Sequence, residues 1–167
     1  MTDTPDSQFV PHSQFVPQSQ FVYVTFIRTA PQTLWEALTW PEFTAQYWFG
    51  MRQESDWTVG APWRMLFPDG RLADDGEILQ IDPPHRLALT WRNLFHPELA
   101  SEGYSRCSFE LSPIGEAVKL TVTHEIDVAD SKLIRVLSGG WPPILSNLKS
   151  LLETGTVALA LDMPLPV

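Results

Sequence analysis

Residues 31–48, PQTLWEALTWPEFTAQYW, predict two short helices that follow one another closely. Pro31 suits the first position of a helix, and Leu34 and Leu38 lie one turn apart on a single face. Residues 39–42 have the pattern of a capping box, which starts a second short helix. The chain is therefore expected to turn sharply between the two helices.

A longer helix is predicted over residues 139–154, within the sequence GGWPPILSNLKSLLETG that ends at Gly155. Gly155 is a stop signal, because glycine readily adopts the left-handed conformation at a helix end. Apolar side chains recur along one side of this helix, whereas Asn147, Lys149 and Glu153 are expected to face away. The apolar side consists of Trp141, Ile144, Leu145, Leu148, Leu151 and Leu152. Such a helix must lie on another apolar surface.

Between the helical segments, the sequence predicts about six antiparallel strands. Short runs rich in β-branched and aromatic residues alternate with turn signals at residues 69–70, 83–84 and 115. The runs are FVYVTFI (21–27), WRMLF (63–67), GEILQI (76–81), LALTW (87–91), SRCSFEL (105–111) and VKLTVTHEI (118–126). Helices at the start and end of an antiparallel meander are typical of an α+β fold, in which the last helix covers the apolar face of the sheet.

Four pieces of the chain resemble a known family in their order: TAPQTLWEALTWPE, VGAPWRML, GEILQIDPPHRLALTW and GGWPPILSNLKSLLETG. They are similar to the activator of the ninety-kilodalton heat-shock-protein ATPase homologue-like family, within the START-like, Bet v-like (SRPBCC) helix-grip superfamily. The resemblance implies a curved antiparallel sheet wrapped around a long C-terminal helix, with two short helices after the first strand. It also implies an elongated apolar cavity between sheet and helix. Function does not follow from this fold alone, because it hosts unrelated activities.

The composition is that of a globular domain with little attraction for polyanions. The 167 residues are 44% hydrophobic and include seven Trp and nine Phe, which suits one domain with a sizeable core. The formal net charge of −9 opposes binding to nucleic acid or to an anionic membrane surface. The sequence has one cysteine, no signal-peptide pattern and no apolar run of about 20 residues. We therefore expect a cytoplasmic location and neither a nucleic-acid nor a membrane partner.

Three SQFV repeats with a period of six residues precede the predicted domain; they start at Ser7, Ser13 and Ser19. Proline and polar residues between the repeats predict a disordered tail over residues 1–20, with the third repeat entering the first strand. The alternative is a peptide ligand or a self-association motif. The domain is predicted over residues 21–155. Residues 156–167 are predicted to form an irregular tail on the surface or a contact in a homodimer.

Aromatic and apolar residues on strand and helix faces predict the walls of the implied cavity, and aromatic walls suit planar or hydrophobic ligands. Strand alternation turns Trp63 and Met65 inward and Arg64 outward. The same rule turns Arg106 outward and Cys107 inward, where the thiol has no neighbouring base and serves packing. The candidate cavity residues are Trp48, Trp63, Met65, Trp91, Tyr104, Phe109, His124, Trp141, Leu145 and Leu148.

Catalytic and metal-binding motifs are not found in the sequence. It lacks G-x-S-x-G, H-E-x-x-H, paired C-x-x-C and a glycine-rich strand-to-helix loop, and its four histidines are widely separated, so neither a metal nor a cofactor is expected. His124 is the most interesting ionisable residue, because the rest of its strand face is aliphatic. It is either a core histidine with both ring nitrogens satisfied or a cavity group that orients a ligand or moves a proton.

Three classes of function remain, of which we favour the first, binding or carriage of a hydrophobic or aromatic small molecule. The second is a cyclase- or hydrolase-type enzyme, in which the same cavity orders the substrate and a group such as His124 acts as acid or base. The third is a co-chaperone that stimulates a heat-shock ATPase, as the family name implies. The family's eukaryotic activators carry an additional N-terminal domain, whereas this chain has the repeats there. A chaperone contact would use an acidic loop over residues 69–77.

Overall fold

The computed structural model describes residues 15–160, which form an α+β fold. The elements in chain order are β1 (Ser19–Ile27), α1 (Pro31–Thr39), α2 (Pro41–Tyr47), β2 (Arg52–Ser55), β3 (Pro62–Leu66), β4 (Leu72–Asp82), β5 (Arg86–Asn93), α3 (Pro97–Ala100), β6 (Ser105–Ile114), β7 (Ala117–Ile126) and α4 (Lys132–Thr154). The two short helices after the first strand and the long final helix confirm the predicted architecture. Within the described residues, no helix combines the length and the apolar character needed to cross a membrane.

The strands form one open antiparallel sheet in the order β1-β7-β6-β5-β4-β3-β2. The first strand pairs with the last, so the chain returns to its starting point before α4 begins. Inward and outward residues alternate along β7 as predicted. The buried face of β7 carries Val118, Leu120, Val122, His124 and Ile126. Val118, Leu120 and Val122 pack with apolar residues from the middle and end of α4 in the main core. Ile126 packs with Leu133 and Ile134, near the start of α4, in a second and smaller cluster.

A close approach between β4 and β5 explains the glycine of the sequence ADDGEI. The pairing register shifts between Ile78 and Gln80. A Cβ atom on Gly76 would lie 1.7 Å from the backbone oxygen of Thr90, so a larger residue would displace one of the two strands. Asp74 lies on the same strand, just before this irregularity.

The C-terminal helix begins earlier than predicted, at Lys132 instead of residue 139. Its N-cap is Ser131, whose Oγ accepts a hydrogen bond of 3.1 Å from the Ile134 N–H. The Glu102 carboxylate accepts further hydrogen bonds from Ser131 Oγ (2.5 Å) and from the Lys132 N–H (2.8 Å). The glycines and prolines at residues 139–143 look like a helix start in the sequence, but tertiary packing on both sides of them maintains one helix.

Asn147 was predicted to face away from the core, and this prediction is wrong because its side chain is 0% exposed. The amide nitrogen donates to the carbonyls of Leu159 (3.2 Å) and Tyr47 (3.4 Å), and the amide oxygen accepts from the Leu159 N–H (2.7 Å). Asn147 therefore joins α4 to the end of α2 and to the segment after α4. Of the predicted C-terminal tail, residues 161–167 lie outside the described residues.

The capping box predicted at residues 39–42 does not form. Thr39 is the last residue of α1, and its hydroxyl donates to the Trp35 carbonyl at 2.8 Å. The N-cap of α2 is Trp40, which makes no side-chain cap hydrogen bond. The sharp turn itself is present, because Pro41 occupies the first turn of α2 and the residue before a proline disfavours helix.

Two further predictions about the strands need correction. The sheet has a seventh strand, β2, which pairs with β3. The sequence does not predict it, because its residues RQES are polar and show no strand pattern. The acidic stretch at residues 69–77 is not mainly a loop, because β4 begins at Leu72.

The third SQFV repeat opens β1 at Ser19, as predicted. Residues 1–14, which hold the first repeat and the start of the second, lie outside the described residues. The ring of Phe15 lies under the Arg106 guanidinium, with 4.5 Å between the guanidinium carbon and the ring centroid.

Candidate functional site: a tryptophan-lined pocket

A small pocket lies between the N-terminal half of α4 and the adjoining ends of β4 and β5. It has a volume of about 90 Å³ and is open to solvent on one side. Its lining is mostly apolar, with three polar side chains on one side. The lining residues are Trp48, Met51, Asp74, Trp91, Asn93, Phe95, His96, Val136, Leu137, Gly140, Trp141 and Ile144.

Three tryptophans make the wall of this pocket. Trp48 follows α2, Trp91 lies on β5, and Trp141 lies at the middle of α4. The ring centroid of Trp48 lies 6.0 Å from that of Trp91 and 5.1 Å from that of Trp141, and the centroids of Trp91 and Trp141 lie 5.9 Å apart. All three side chains are buried, so the pocket is bordered by rings that their mutual packing holds in place.

Asp74 is a buried carboxyl group at the edge of the tryptophan wall. The residue is 5% exposed, and its Oδ1 accepts a hydrogen bond of 3.0 Å from the Trp91 Nε1–H. Burial raises the pKa of Asp74 to about 7, and the charge of Asp75 acts in the same direction. Hydrogen bonds from the side chains of Trp91 and Asn93 act in the opposite direction, lowering the pKa. Asp74 can therefore exchange a proton near neutral pH.

The arginine nearest in sequence to this pocket is engaged elsewhere. The Arg92 guanidinium contacts the Asp75 carboxylate at 3.5 Å and stacks over the Tyr104 ring, 4.7 Å from its centroid. Among the described residues, no Lys or Arg forms an ion pair with Asp74 or lines the pocket. The carboxyl group thus faces the pocket without a cationic partner from the protein within residues 15–160.

Asp74 was not among the residues selected from the sequence, although a signal was present. Counting back from the buried Ile78 in steps of two along β4 places Gly76 and Asp74 on the same inward face. The pairing of Asp74 with the buried Met65 in β3 agrees with that count. The sequence pattern does not include Asp74 because it predicts a strand that begins only at Gly76.

His124 lies behind the tryptophan wall and does not line the pocket. Its Nδ1 accepts from the Trp141 Nε1–H at 3.4 Å, so the proton is on Nε2, which lies 2.6 Å from the Ser105 Oγ. Ser105 in turn donates to the Trp91 carbonyl at 2.9 Å. Burial lowers the pKa of His124 to about 3, so the ring is neutral. His124 is placed as a core histidine that connects two of the pocket tryptophans.

The other candidate cavity residues are distributed differently from the expectation. Trp48, Trp91 and Trp141 come together at the pocket. The apolar residues Trp63, Met65, Phe109, Leu145 and Leu148 lie in the buried core, and His124 is buried there too. Tyr104 lies on the surface at 46% exposure, just before β6, and its hydroxyl donates to Asp75 at 3.1 Å.

The inward and outward directions predicted for residues on β3 and β6 are confirmed. Trp63 and Met65 are buried and Arg64 is exposed. Cys107 is 0% exposed, and burial raises the pKa of its thiol, so it is unsuited to act as a nucleophile. Arg106 is half-buried beside Phe15.

Larger depressions are found on the surface but do not resemble binding sites. Their volumes are about 470, 440 and 320 Å³, and each is a shallow opening lined largely by polar residues. A ligand site is normally concave and mostly apolar with a few polar groups, which describes the tryptophan-lined pocket better. Within residues 15–160, no three His, Cys, Asp or Glu side chains converge as metal ligands would.

Comparison with known proteins identifies the family. Residues 28–153 match the family described as activator of Hsp90 ATPase homolog 1-like protein. A crystal structure of a protein from Mesorhizobium loti is similar with a TM-score of 0.68 and 26% identity, covering 80% of this chain and 96% of that one. A protein of the dynemicin biosynthetic locus has a TM-score of 0.71 and 25% identity, covering 86% of this chain and 51% of that one.

An HSP90 activator from Plasmodium falciparum has a TM-score of 0.66 and 22% identity, covering 80% of this chain and 95% of that one, and this likeness concerns the fold. No curated protein matches the chain significantly. The family match spans three quarters of the sequence and agrees with the helix-grip architecture described above. The chain therefore belongs to the activator of Hsp90 ATPase homolog 1-like family.

Proposed function

We propose that this protein binds a small molecule whose apolar group enters the pocket bordered by Trp48, Trp91 and Trp141. The observation that carries the proposal is an open concave site with aromatic walls and a polar edge at Asp74. Apolar walls supply binding energy and a few polar groups set orientation, as in most small-molecule sites. The similarity to a protein of the dynemicin biosynthetic locus supports a function in small-molecule chemistry.

The size of the pocket limits the part of a ligand that is enclosed. A volume of about 90 Å³ is well below the roughly 300 Å³ at which pockets for drug-sized ligands begin. The pocket therefore accommodates a small branched or ring-shaped group, and the remainder of a larger ligand extends through the opening.

Two neighbouring glycines of α4 provide a matched test of this site. A Cβ atom on either Gly139 or Gly140 meets no atom within 4 Å, but only Gly140 lines the pocket and Gly139 is exposed. Gly140→Leu should therefore obstruct the pocket, whereas Gly139→Leu should leave it open. Both changes remove a glycine from a helix, so neither is expected to unfold the protein.

The measurement is ligand binding by native mass spectrometry of freshly purified protein and by quenching of tryptophan fluorescence with small aromatic and branched aliphatic compounds. We expect bound ligand in the unmodified protein and in Gly139→Leu, and its loss in Gly140→Leu. Equal binding by all three proteins would place the ligand elsewhere. Absence of binding in every arm would contradict the proposed function.

An enzyme of the cyclase or hydrolase type is the second candidate, and Asp74 is the observation that favours it. A buried carboxyl group with a pKa of about 7 at the edge of a pocket is suited to act as general acid or base. His124 is unsuited to that role, because its ring does not reach the pocket. Turnover of a bound ligand that Asp74→Asn abolishes without weakening binding would favour the enzyme over the carrier.

The co-chaperone alternative is expected to fail its test. The sequence has no cluster of Lys and Arg residues, and the acidic stretch on which the alternative depended lies mainly in β4. We expect no stimulation of a heat-shock ATPase by micromolar protein. Reproducible stimulation that is lost on reversal of the exposed charges at Asp69 and Glu77 would contradict this expectation. A homodimer stays a prediction, which sedimentation analysis can test.

A further inference from the structure

We propose that the group bound in the pocket is a small organic cation, a methylated ammonium head that lies against the three tryptophan rings and beside the Asp74 carboxylate. The inference rests on the proposed function, since it assigns the ligand class of the same site. The glycine variants test where a ligand binds, whereas this inference assigns the charge of that ligand.

The first argument is the unbalanced carboxylate. Buried carboxylates are usually paired with a cation, because an isolated charge away from water is costly. Asp74 has hydrogen-bond donors from neutral side chains but no ion-pair partner among the described residues. Arg92, one residue beyond the pocket tryptophan of β5, is engaged by Asp75 and Tyr104. A cationic ligand would form the ion pair that Asp74 does not make with any of the described residues.

The second argument is the composition of the wall. Trp48, Trp91 and Trp141 present indole rings, whose faces attract a cation more strongly than those of the other aromatic residues. A methylated ammonium group combines positive charge with an apolar methyl surface. It can therefore pack against the indole rings and pair with the Asp74 carboxylate at the same time. A primary ammonium would need several hydrogen-bond acceptors, and the mostly apolar lining offers few.

The third argument is size and long-range charge. The volume of about 90 Å³ is well below the roughly 300 Å³ of pockets that enclose whole drug-sized ligands, so it suits a compact head group. The formal net charge of −9 favours the approach of cations over anions at a distance. An anionic ligand would be repelled both by the net negative charge of the protein and by the Asp74 carboxylate.

The pH dependence of cation binding should report the protonation of Asp74. The residues that line the pocket from the connection between α2 and β2, from β5 and from α4 are uncharged. The further titratable groups nearby are Asp75 on the same strand and His96 before α3. Because burial raises the Asp74 pKa to about 7, the ionised form that attracts a cation is lost as the pH falls below that value. The variant His96→Gln separates any contribution of the histidine.

Choline and 3,3-dimethylbutan-1-ol provide a test, because they have the same shape and differ in a nitrogen that carries a charge and a carbon that does not. Binding of each is measured by tryptophan fluorescence at pH 8 and pH 5.5. We expect choline to bind at least about tenfold more tightly than the alcohol at pH 8, a difference of about 1.4 kcal/mol. We also expect choline binding to weaken at least about tenfold at pH 5.5, in the unmodified protein and in His96→Gln.

Asp74→Asn should remove the preference for choline and leave binding of the alcohol within about twofold, because asparagine keeps the size and an acceptor for the Trp91 N–H. Asp82→Asn, at the far and exposed end of the same strand, is the control and should keep the preference. Equal binding of the two compounds, or a choline preference that survives Asp74→Asn, would overturn the cation assignment while the proposed function stands. If neither compound binds although other small molecules do, the assignment also fails alone, whereas absence of all binding removes both.

Discussion

Asp74→Asn should make this protein more stable at alkaline pH, because it removes a carboxylate that folding buries. The folded-state pKa of Asp74 is about 7 and the reference value is 3.8. A carboxyl group whose pKa is raised by folding contributes its full share to the free energy of unfolding at pH values below its unfolded-state pKa. That contribution is lost as the pH rises toward its folded-state pKa. The difference of about 3 units corresponds to about 4 kcal/mol at 1.36 kcal/mol per unit.

The stability difference between Asp74→Asn and the unmodified protein should change with pH. Between pH 5.5 and pH 8.5, the free energy of unfolding of Asp74→Asn should rise relative to that of the unmodified protein by about 2 kcal/mol, and most of this change should occur below pH 7. More than about one unit above pH 7, both states of the unmodified protein hold Asp74 ionised, so the difference should become constant. The hydrogen bond from the Trp91 N–H is retained, because the asparagine oxygen accepts it.

Urea unfolding at several pH values, followed by tryptophan fluorescence, measures both proteins. Asp82→Asn reports the effect of removing an exposed negative charge from the same strand, and its change is subtracted. A difference between Asp74→Asn and the unmodified protein that does not vary with pH would refute the reasoning. So would a variant that is the less stable protein at pH 8.5.

Three further substitutions test other contacts by the same unfolding assay. Gly76→Ala should cost about 3 kcal/mol or more, because its Cβ would lie 1.7 Å from the Thr90 oxygen; Gly139→Ala, where a Cβ meets open space, is its control, and equal stability of the two variants would contradict the close approach. His124→Gln should cost about 1 to 3 kcal/mol and alter ligand affinity little, so a loss of turnover without a loss of stability would show that His124 takes part in chemistry. Asn147→Ala should cost about 1 to 3 kcal/mol by leaving the Leu159 N–H without its acceptor, and an unchanged free energy of unfolding would show that this hydrogen bond is not stabilising.

Local sequence pattern was sufficient for most of the fold. The period of two in β7 places His124 on the buried face, and the same period gives the directions of Trp63 and Met65. Proline at the start of α1 and glycine after α4 mark two helix ends. These features depend on residues close together in the chain, and the order of helices and strands then restricts the architecture to few arrangements.

The start of α4 and the burial of Asn147 depend on contacts between distant residues. The first turn of α4 is stabilised by Glu102, which lies 29 residues before Ser131 in the chain. Asn147 is buried because its amide meets backbone groups of Tyr47, which is 100 residues away. The helical period alone assigns a polar residue to the outside, and a specific hydrogen-bonding partner overrides that assignment.

The pocket is the feature that tertiary structure decided most completely. Periodicity could have placed Asp74 on the inner face of β4, but its contact with Trp91 requires the register of β4 against β5. Trp48 and Trp141 reach the same place through the docking of α2 and α4 on that sheet, whereas Tyr104 falls outside. A strand period specifies which face a side chain occupies; the space left between packed side chains depends on their combined volumes and on how the layers meet.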